Sequence, residues 1–428
     1  MGLKKIIFVI LSLLVVVYVV VLGYYTRRLN SHTNAETIPF YTDVLKQHED
    51  SVRLYINNRQ NMKTSKLGTY LFKNVPTNVL KSGESNNKTF SILIWKYWDW
   101  LQNRHLYNYQ KRKQDPFEGC SVNNCILTGN DTFLITADAV VIHIQKGVFP
   151  NRTTRNPKQR WIFLSDESPI NVFSMARVKP QLSNLADMFN WSMTFRSDAD
   201  VPVPYGRTVP LSRPLIPNVS SESLAKLVPN WNIKRRDKLA TVLMSNCAVS
   251  RRMQYLEQLE KYLPLDVFGK CSKNNKNTCP GHFKSDCPVL SQYLFYLVLE
   301  NSQCREYLTE KVFYNALDKG AIPVIMGAPL RDCERLLPPN SFVHVDNFES
   351  PESLASYIMH ISRSNDTLLE YHKWRNSFEV VNEHGYFGSK SFHYCRVCEA
   401  LNYNDGREKV YNEKMLRYFL DDKVTCLK

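Results

Sequence analysis

Tyr307-Leu308-Thr309-Glu310-Lys311-Val312-Phe313-Tyr314-Asn315-Ala316-Leu317-Asp318-Lys319-Gly320-Ala321-Ile322-Pro323-Val324-Ile325-Met326 reads as a helix followed by a strand. Val312/Ala316 and Phe313/Leu317 fall four apart, which gives the helix one buried side. Thr309 suits its start, and Gly320 is a favoured terminal residue. Ahead of it, Gln292 to Leu299 is apolar. Further upstream, Leu239 to Met244 reads as a strand, Arg251 to Tyr262 as a helix and Leu265 to Gly269 as a strand and turn. The first half has the same rhythm, with short apolar runs at Ser91-Ile92-Leu93-Ile94-Trp95, Ala139 to His143 and Trp161 to Leu164, each separated by enough chain for a crossover. Prolines 202, 204, 210, 214 and 217 interrupt the pattern, and regular structure is not expected to persist through them. The fold class is therefore α/β, with two open-sheet domains at 91–215 and 238–428 joined by a linker at 216–237. Ligands of such a pair sit in the cleft outside the carboxyl ends of the strands.

The N-terminus bears on the compartment. Ile6 to Tyr25 is an uncharged, almost wholly apolar run between Lys4-Lys5 and Arg27-Arg28. Twenty helical residues rise about 30 Å, the depth of a bilayer's hydrocarbon core. Gly23-Tyr24-Tyr25-Thr26-Arg27 offers no small-x-small cleavage site. The expectation is a cytoplasmic tail at 1–5, a signal anchor at 6–25 and a polar stem at 26–90, with some helix around Tyr41 to Tyr55, holding a luminal body off the membrane. Sequons at Asn87, Asn130, Asn151, Asn190, Asn218 and Asn365, all after the anchor, are candidate glycosylation sites. Eleven cysteines suit an oxidising space. The close pairs Cys120/Cys125 and Cys395/Cys398, and the cluster Cys271, Cys279 and Cys287, are disulfide candidates, and the odd count leaves one thiol over. A formal charge of +15 admits nucleic acid, an acidic membrane or a nucleotide diphosphate as partner; the anchor and sequons argue against nucleic acid.

Four segments carry candidate chemistry. Glu310 and Lys311 lie in the first turn of the helix after Thr309, where backbone N–H groups offer a seat for phosphate. A lysine there opposes the helix dipole, a conflict that a bound diphosphate would remove; the plain alternative is a surface Glu-Lys pair. Glu167, in Ser165-Asp166-Glu167-Ser168-Pro169, directly follows a strand, so its carboxylate would project at the sheet's carboxyl edge. Asp198-x-Asp200 has the spacing of a metal and nucleotide-sugar motif, but Arg196-Ser197 rather than an apolar strand precede it, so no metal site is expected; Arg196 is instead a candidate anion contact. Asn246 follows a strand, and Arg251 or Arg252, opening the next helix, could reach a phosphate across the cleft.

Asn190 to Asp200 with Tyr205-Gly206 resembles the signature of the α1,3-fucosyltransferase family. Tyr293 to Pro329, with Leu299-Glu300-Asn301-Ser302 and Tyr307 to Lys311, is similar to that family's donor-binding signature. Cys120 and Cys125, Ala137-Asp138-Ala139 with His143, and Gln159-Arg160-Trp161 through Pro169 match its first half. The resemblance covers most of residues 91 to about 400. It implies a GT-B architecture of two Rossmann-like domains and an inverting transfer from GDP-fucose on a Golgi membrane. No cofactor is required for that chemistry, and a divalent cation is at most stimulatory. By position, Glu167 resembles the general base, Lys311 and one of Arg251/Arg252 the diphosphate contacts, Glu310 the ribose contact, and Asn301 and Tyr307 further donor-site groups. Phe195 and Leu299 depart from the family's usual tyrosine and phenylalanine. Cys304 and Cys395-Arg396-Val397-Cys398 look more like members acting on the innermost GlcNAc of glycoprotein N-glycans, with LacNAc antennae as the alternative acceptor. Two rivals are a metal-dependent transferase using Asp198 and Asp200, and an inactive, membrane-anchored glycan-binding protein, which should have lost Glu167 or Lys311.

Overall fold

The computed structural model describes residues 43–74, 88–107, 113–152, 156–274, 277–281, 284–404 and 409–427, together with Tyr18. The tail, the rest of the apolar run at 6–25 and Asn87 lie outside the described residues. Among those described, no helix is long and apolar enough to cross a membrane.

Two parallel sheets form the body. In the first, β1 (Phe90–Ile94), β2 (Cys125–Thr128), β3 (Ala139–His143), β4 (Arg160–Ser165), β5 (Trp191–Thr194) and β6 (Val201–Pro202) lie in the order β2-β1-β3-β4-β5-β6. The register Ala139↔Arg160 to His143↔Leu164 aligns the ends of β3 and β4. Strand β7 (Gly206–Pro210) leaves this sheet. In the second sheet, β8 (Ala240–Leu243), β9 (Leu265–Phe268), β10 (Phe295–Leu299), β11 (Ile322–Met326) and β12 (Val343–His344) take the order β12-β11-β10-β8-β9. The central strands β3 and β10 are buried at every position, as continuous apolar runs require when helices cover both faces. The apolar runs read from the sequence at 91–95, 139–143, 161–164, 239–244, 265–269, 292–299 and 321–326 each coincide with one of these strands to within a few residues at either end.

Regular structure persists where prolines argued against it. β7 pairs antiparallel with β13 (Phe378–Asn382), Gly206 opposite Asn382 and Pro210 opposite Phe378. Pro202 ends an edge strand and Pro210 ends one arm of a two-stranded ribbon, positions where a missing N–H is tolerated. The ribbon also brings the chain back. Beyond β13, the helices at His393–Tyr403 and Glu413–Leu420 return to the first sheet, where Tyr411 N donates to Phe189 O at 2.8 Å. The last third of the chain is thus shared between the two lobes.

The stretch expected to be a stem is partly built into the body. Helix α1 (43–59), helix α2 (Lys66–Lys73), capped by Ser65 through Gly68 N, and the connection between them bury Tyr55, Met62, Leu67, Leu71 and Phe72 in the core between the lobes. The Tyr55 hydroxyl meets Thr208 on β7, and Arg59 donates to the carbonyls of Phe72, Arg335 and Leu336 at 3.1, 2.6 and 2.8 Å. The latter two carbonyls are at the end of the helix Leu330–Leu336, where a cation complements the dipole. Polarity hid this because each of these short helices has only a narrow apolar stripe.

The close pairs Cys120/Cys125 and Cys395/Cys398 do not bridge within themselves, whereas the cluster at 271–287 does contain one bridge, Cys279–Cys287. Cys120 joins Cys395 and Cys125 joins Cys398; the others are Cys247–Cys271, Cys279–Cys287 and Cys304–Cys426, leaving Cys333 free and buried. Cys395 and Cys398 lie one turn apart on the helix His393–Tyr403, so both sulfurs face the segment 120–125 together. Among the sequons, Asn130, Asn151, Asn218 and Asn365 are exposed. Asn190 is not an acceptor in this fold. It is buried, its Oδ1 takes Trp161 N at 2.9 Å and its Nδ2 donates to Lys409 O at 2.9 Å.

Burying each of these five apolar side chains of residues 55–72 is worth about 1.5–3 kcal/mol, a sum on the order of 10 kcal/mol and comparable to the whole stability of a domain. A chain begun at residue 75 is therefore expected to lose its cooperative thermal transition, whereas one begun at residue 40 keeps it; melting of the two secreted proteins checks this.

Candidate active site

The last residues of β4 run straight into Asp166 and Glu167, so the parallel strand delivers a carboxylate to its own carboxyl edge. Glu167 is half-buried. Burial raises its pKa above the ordinary carboxylate range, and the nearby Lys311 ammonium opposes that rise. Its Oε2 accepts a hydrogen bond from Tyr307 at 3.3 Å. Tyr307 comes from the loop after β10, so the carboxyl ends of the two sheets meet at this contact. Phe195 and Tyr205 of the first lobe hold the Tyr307 ring edge-on, at centroid distances of 5.0 and 6.3 Å.

The facing edge is organised by a second carboxylate that follows a strand. Glu300, directly after β10, accepts from Thr309 N at 3.0 Å and Thr309 Oγ1 at 2.7 Å, and its other oxygen lies 3.0 Å from Lys311 Nζ. Lys311 also reaches Glu310 at 3.2 Å. Burial alone would lower the Lys311 pKa, but Glu300 and Glu310 outweigh it and raise it, so the ammonium stays charged. The helix these residues open is a π-helix, Lys311–Asp318, rather than the α-helix its spacing predicts. π-Helical geometry is rare and is found most often at functional sites. Val312, Phe313, Ala316 and Leu317 are buried as the four-residue spacing requires. Thr309 Oγ1 takes Lys311 N at 3.4 Å, the expected cap. Gly320 ends the segment at φ 73°, where a side chain would also strike Pro229 O. Gly206 lets β7 approach Phe313 so closely that a Cβ would overlap the ring, which seats the π-helix against the first lobe.

Of the other predicted donor residues, Arg252 is buried and points along the strand ends, with Nη1 donating to Leu299 O at 3.0 Å and Nη2 to Asn246 O. Its Nε has no hydrogen-bond partner among the described residues. Arg251 is exposed on the outer side of the same helix, Ser250–Leu259. Asn246 is exposed and holds Ala248 N at 3.2 Å, next to the Cys247–Cys271 bridge. Asn301, half-buried, accepts from Ser302 Oγ at 2.9 Å. Arg196 is not available as an anion contact. It is buried with its fork on Asp198, at 3.0 and 2.9 Å, its third nitrogen on Tyr418 O at 2.7 Å, and its plane between the Tyr418 and Phe419 rings. Asp200 is likewise engaged, by Ser192, Tyr411 and Lys409. Asp198 and Asp200 therefore join the C-terminal segment to the first sheet.

Sequence reasoning missed the groups beneath Glu167. Asp166 is fully buried beside Arg104, His384 and His393. His105, Asp166 and His393 bring possible metal-donor atoms within 4.8 Å of one another, but the Arg104 guanidinium already occupies the carboxylate. These residues are spread from 104 to 393 and follow no spacing rule. The signal for Glu300 was available, since it too is a glutamate at the end of an apolar strand.

Arg196→Ala takes the paired fork from the buried Asp198 carboxylate and leaves it the Tyr418 hydroxyl at 2.6 Å and Arg305 at 3.8 Å, a loss worth up to about 3 kcal/mol. The variant is expected to melt well below the wild type while any folded fraction retains ordinary nucleotide affinity; calorimetry and equilibrium binding read the two effects separately.

Comparison with known proteins relates both halves of the chain to one family. The model "Fucosyltransferase, N-terminal" matches residues 87–206, and that for the C-terminal part of glycosyltransferase family 10 (fucosyltransferase) matches residues 233–415. 4-galactosyl-N-acetylglucosaminide 3-alpha-L-fucosyltransferase FUT6 of Homo sapiens is 31% identical over 321 residues, 73% of this chain and 79% of that protein. Alpha-(1,3)-fucosyltransferase 7 of Mus musculus is 32% identical over 335 residues, 76% and 75% of the two chains. Glycoprotein 3-alpha-L-fucosyltransferase A of Drosophila melanogaster is 30% identical over 318 residues, 72% of this chain and 55% of that one. A crystal structure of an alpha1,3-fucosyltransferase with GDP-fucose superposes with a TM-score of 0.46 at 16% identity, covering 78% of this chain and 95% of that one. With both halves matched in order around the carboxylate and the lysine, the chain belongs to the glycosyltransferase family 10 fucosyltransferases and is an enzyme of that class.

Proposed function

We propose that the protein transfers L-fucose from GDP-fucose, in α1,3 linkage and with inversion, to GlcNAc of glycoprotein glycans. The observation that carries this reading is the meeting of Glu167 with Tyr307 and Lys311 across the two sheet edges. Glu167 takes the proton of the acceptor hydroxyl as that oxygen attacks fucose C1 from the side opposite the nucleotide. Burial makes it a stronger base than an exposed glutamate while Lys311 keeps it ionised, a balance suited to proton abstraction near neutral pH. The departing diphosphate gains negative charge, and Lys311, Arg252 and the N–H groups opening the π-helix supply the countercharge. Glu310, the less buried of the two carboxylates on Lys311 and the farther from it at 3.2 Å against 3.0 Å, turns to the ribose once phosphate replaces it on the lysine.

The innermost GlcNAc of N-glycans is the favoured acceptor, on the resemblance of Cys304 and Cys395-Arg396-Val397-Cys398 to enzymes of that type and the similarity to glycoprotein 3-alpha-L-fucosyltransferase A. The similarity to FUT6 and fucosyltransferase 7 supports LacNAc antennae as the second reading. The apolar run at 6–25 and five disulfides support a single-pass type II protein of the Golgi membrane with a luminal body. Incubation with GDP-fucose and a panel of N-glycan core and LacNAc acceptors, with linkage analysis of the product, tests the assignment; transfer to LacNAc alone would replace the core reading.

Glu167→Gln is expected to abolish transfer without lowering the melting temperature. Lys311→Ala is expected to raise the barrier by about 3 kcal/mol, roughly a hundredfold in rate. Because Glu167 must be ionised and its pKa is raised, kcat/KM should fall on the acid side at a pH above the ordinary glutamate range; a pH–rate profile reads this directly.

A further inference from the structure

One arginine and two histidines from three separate segments converge on Asp166, the residue before Glu167. Arg104, at the end of the helix Trp98–His105, lies 2.8 Å from Oδ2. His393 Nε2 is 3.1 Å from Oδ1, and His384 Nε2 is 3.5 Å from Oδ2. Behind them, Ser391 Oγ links His393 Nδ1 at 3.1 Å to His105 Nδ1 at 2.8 Å, and the two imidazoles stack at 3.9 Å. The backbone is held as well, since Tyr205 donates to Asp166 O at 2.8 Å while its ring stacks on His384 at 3.8 Å. Every one of these side chains is buried. Two charges removed from water cost more than apolar packing of the same volume, so such a cluster is poorly explained by stability alone.

We infer that the Arg104–Asp166 pair, seated on His384 and His393, is a positioning device for Glu167: it anchors the backbone that carries the base and sets the base's acid–base strength through two opposed, balanced charges. The inference rests on Glu167 being the general base. The charged and titratable groups facing Glu167 are Asp166 and Arg104 from beneath, Lys311 and Glu310 from the π-helix, and Tyr205, Tyr307 and Tyr386 around it. Those facing Asp166 are Arg104, His384, His393, His105, His143, Tyr205, Tyr386 and Tyr394. Burial holds His384 down at about 4 and lowers His393 against the pull of Asp166, which leaves the arginine as the main counter-charge of the carboxylate. Asp166 is a like charge to Glu167 and raises its pKa; Arg104 lowers it.

Removing one partner therefore moves the acid limb of kcat/KM in a direction set by which charge is lost. Asp166→Asn leaves Arg104 uncompensated and should move the limb down by about one pH unit. Arg104→Met leaves Asp166 uncompensated and should move it up. The double variant, with neither charge, should return it near the wild-type position and keeps the test open if a single variant fails to fold. A merely structural role lowers kcat in all three without opposite displacements, and that pattern would overturn the inference. So would a stoichiometric zinc content in the full-length protein that His393→Gln abolishes, because the imidazoles would then be metal-bound. Glu167→Gln separates the two levels. Wild-type turnover in that variant removes the base assignment itself, whereas an inactive Glu167→Gln with unmoved limbs in the charge variants removes only the positioning role.

Discussion

The 3.3 Å contact between Tyr307 and Glu167 is where the two lobes meet chemically, and much of the structure exists to keep it in place. Parallel strands send their following residues to one edge, so Glu167 after β4 and Glu300 after β10 are presented by the same geometric rule. One becomes the proposed base. The other holds Thr309 and Lys311 through its two oxygens and so fixes how the π-helix starts. The edges would drift without a shared floor, and the apolar cluster that joins Phe195 and Tyr205 to Tyr307, Val312 and Phe313 supplies it.

Charge placement follows a consistent pattern around this contact. Arg196, Asp198, Asp166 and Arg104 are buried and paired, whereas Lys311 retains partial exposure and two carboxylates. Buried pairs of the first kind serve as struts, since breaking one leaves a charge in low dielectric. Lys311 is held differently. One of its partners, Glu310, is itself partly exposed and can be exchanged for an incoming anion, while Glu300 is fully buried and stays. The same distinction separates the arginines read as alternatives: Arg252 lies at the strand ends with Nε unpartnered, and Arg251 faces solvent.

The return of the segment beyond β13 to the first lobe accounts for the longest disulfide loops. Cys120–Cys395 and Cys125–Cys398 each close a loop of more than 270 residues. Once one has formed, the other closes only the short ring between them, so in the chain-entropy view the second adds less than the first. Their combined effect is to clamp the helix His393–Tyr403 on β2. The helix brings His393 to Asp166, and the segment before it brings His384. Cys304–Cys426 then ties the chain's end to the donor-side loop that precedes Tyr307.

The alternation of apolar runs and helical spacing established an α/β chain with two sheets, because a strand buried on both faces leaves a local apolar signature that needs no partner to be read. The same locality made Glu167, Glu310 and Lys311 visible, since each lies beside the element that positions it. Arg196 was misread because its signature placed it near a nucleotide motif, while its true partner is Asp198 two residues on, sealed by Tyr418 and Phe419 from the far end of the chain. The stem helices, the β7–β13 ribbon, the crossed disulfides and the Asp166 cluster depend on segments more than a hundred residues apart meeting in space. Periodicity records which face of an element is apolar; it carries no information about which distant segment will cover that face, and burial against that segment is what decides these contacts.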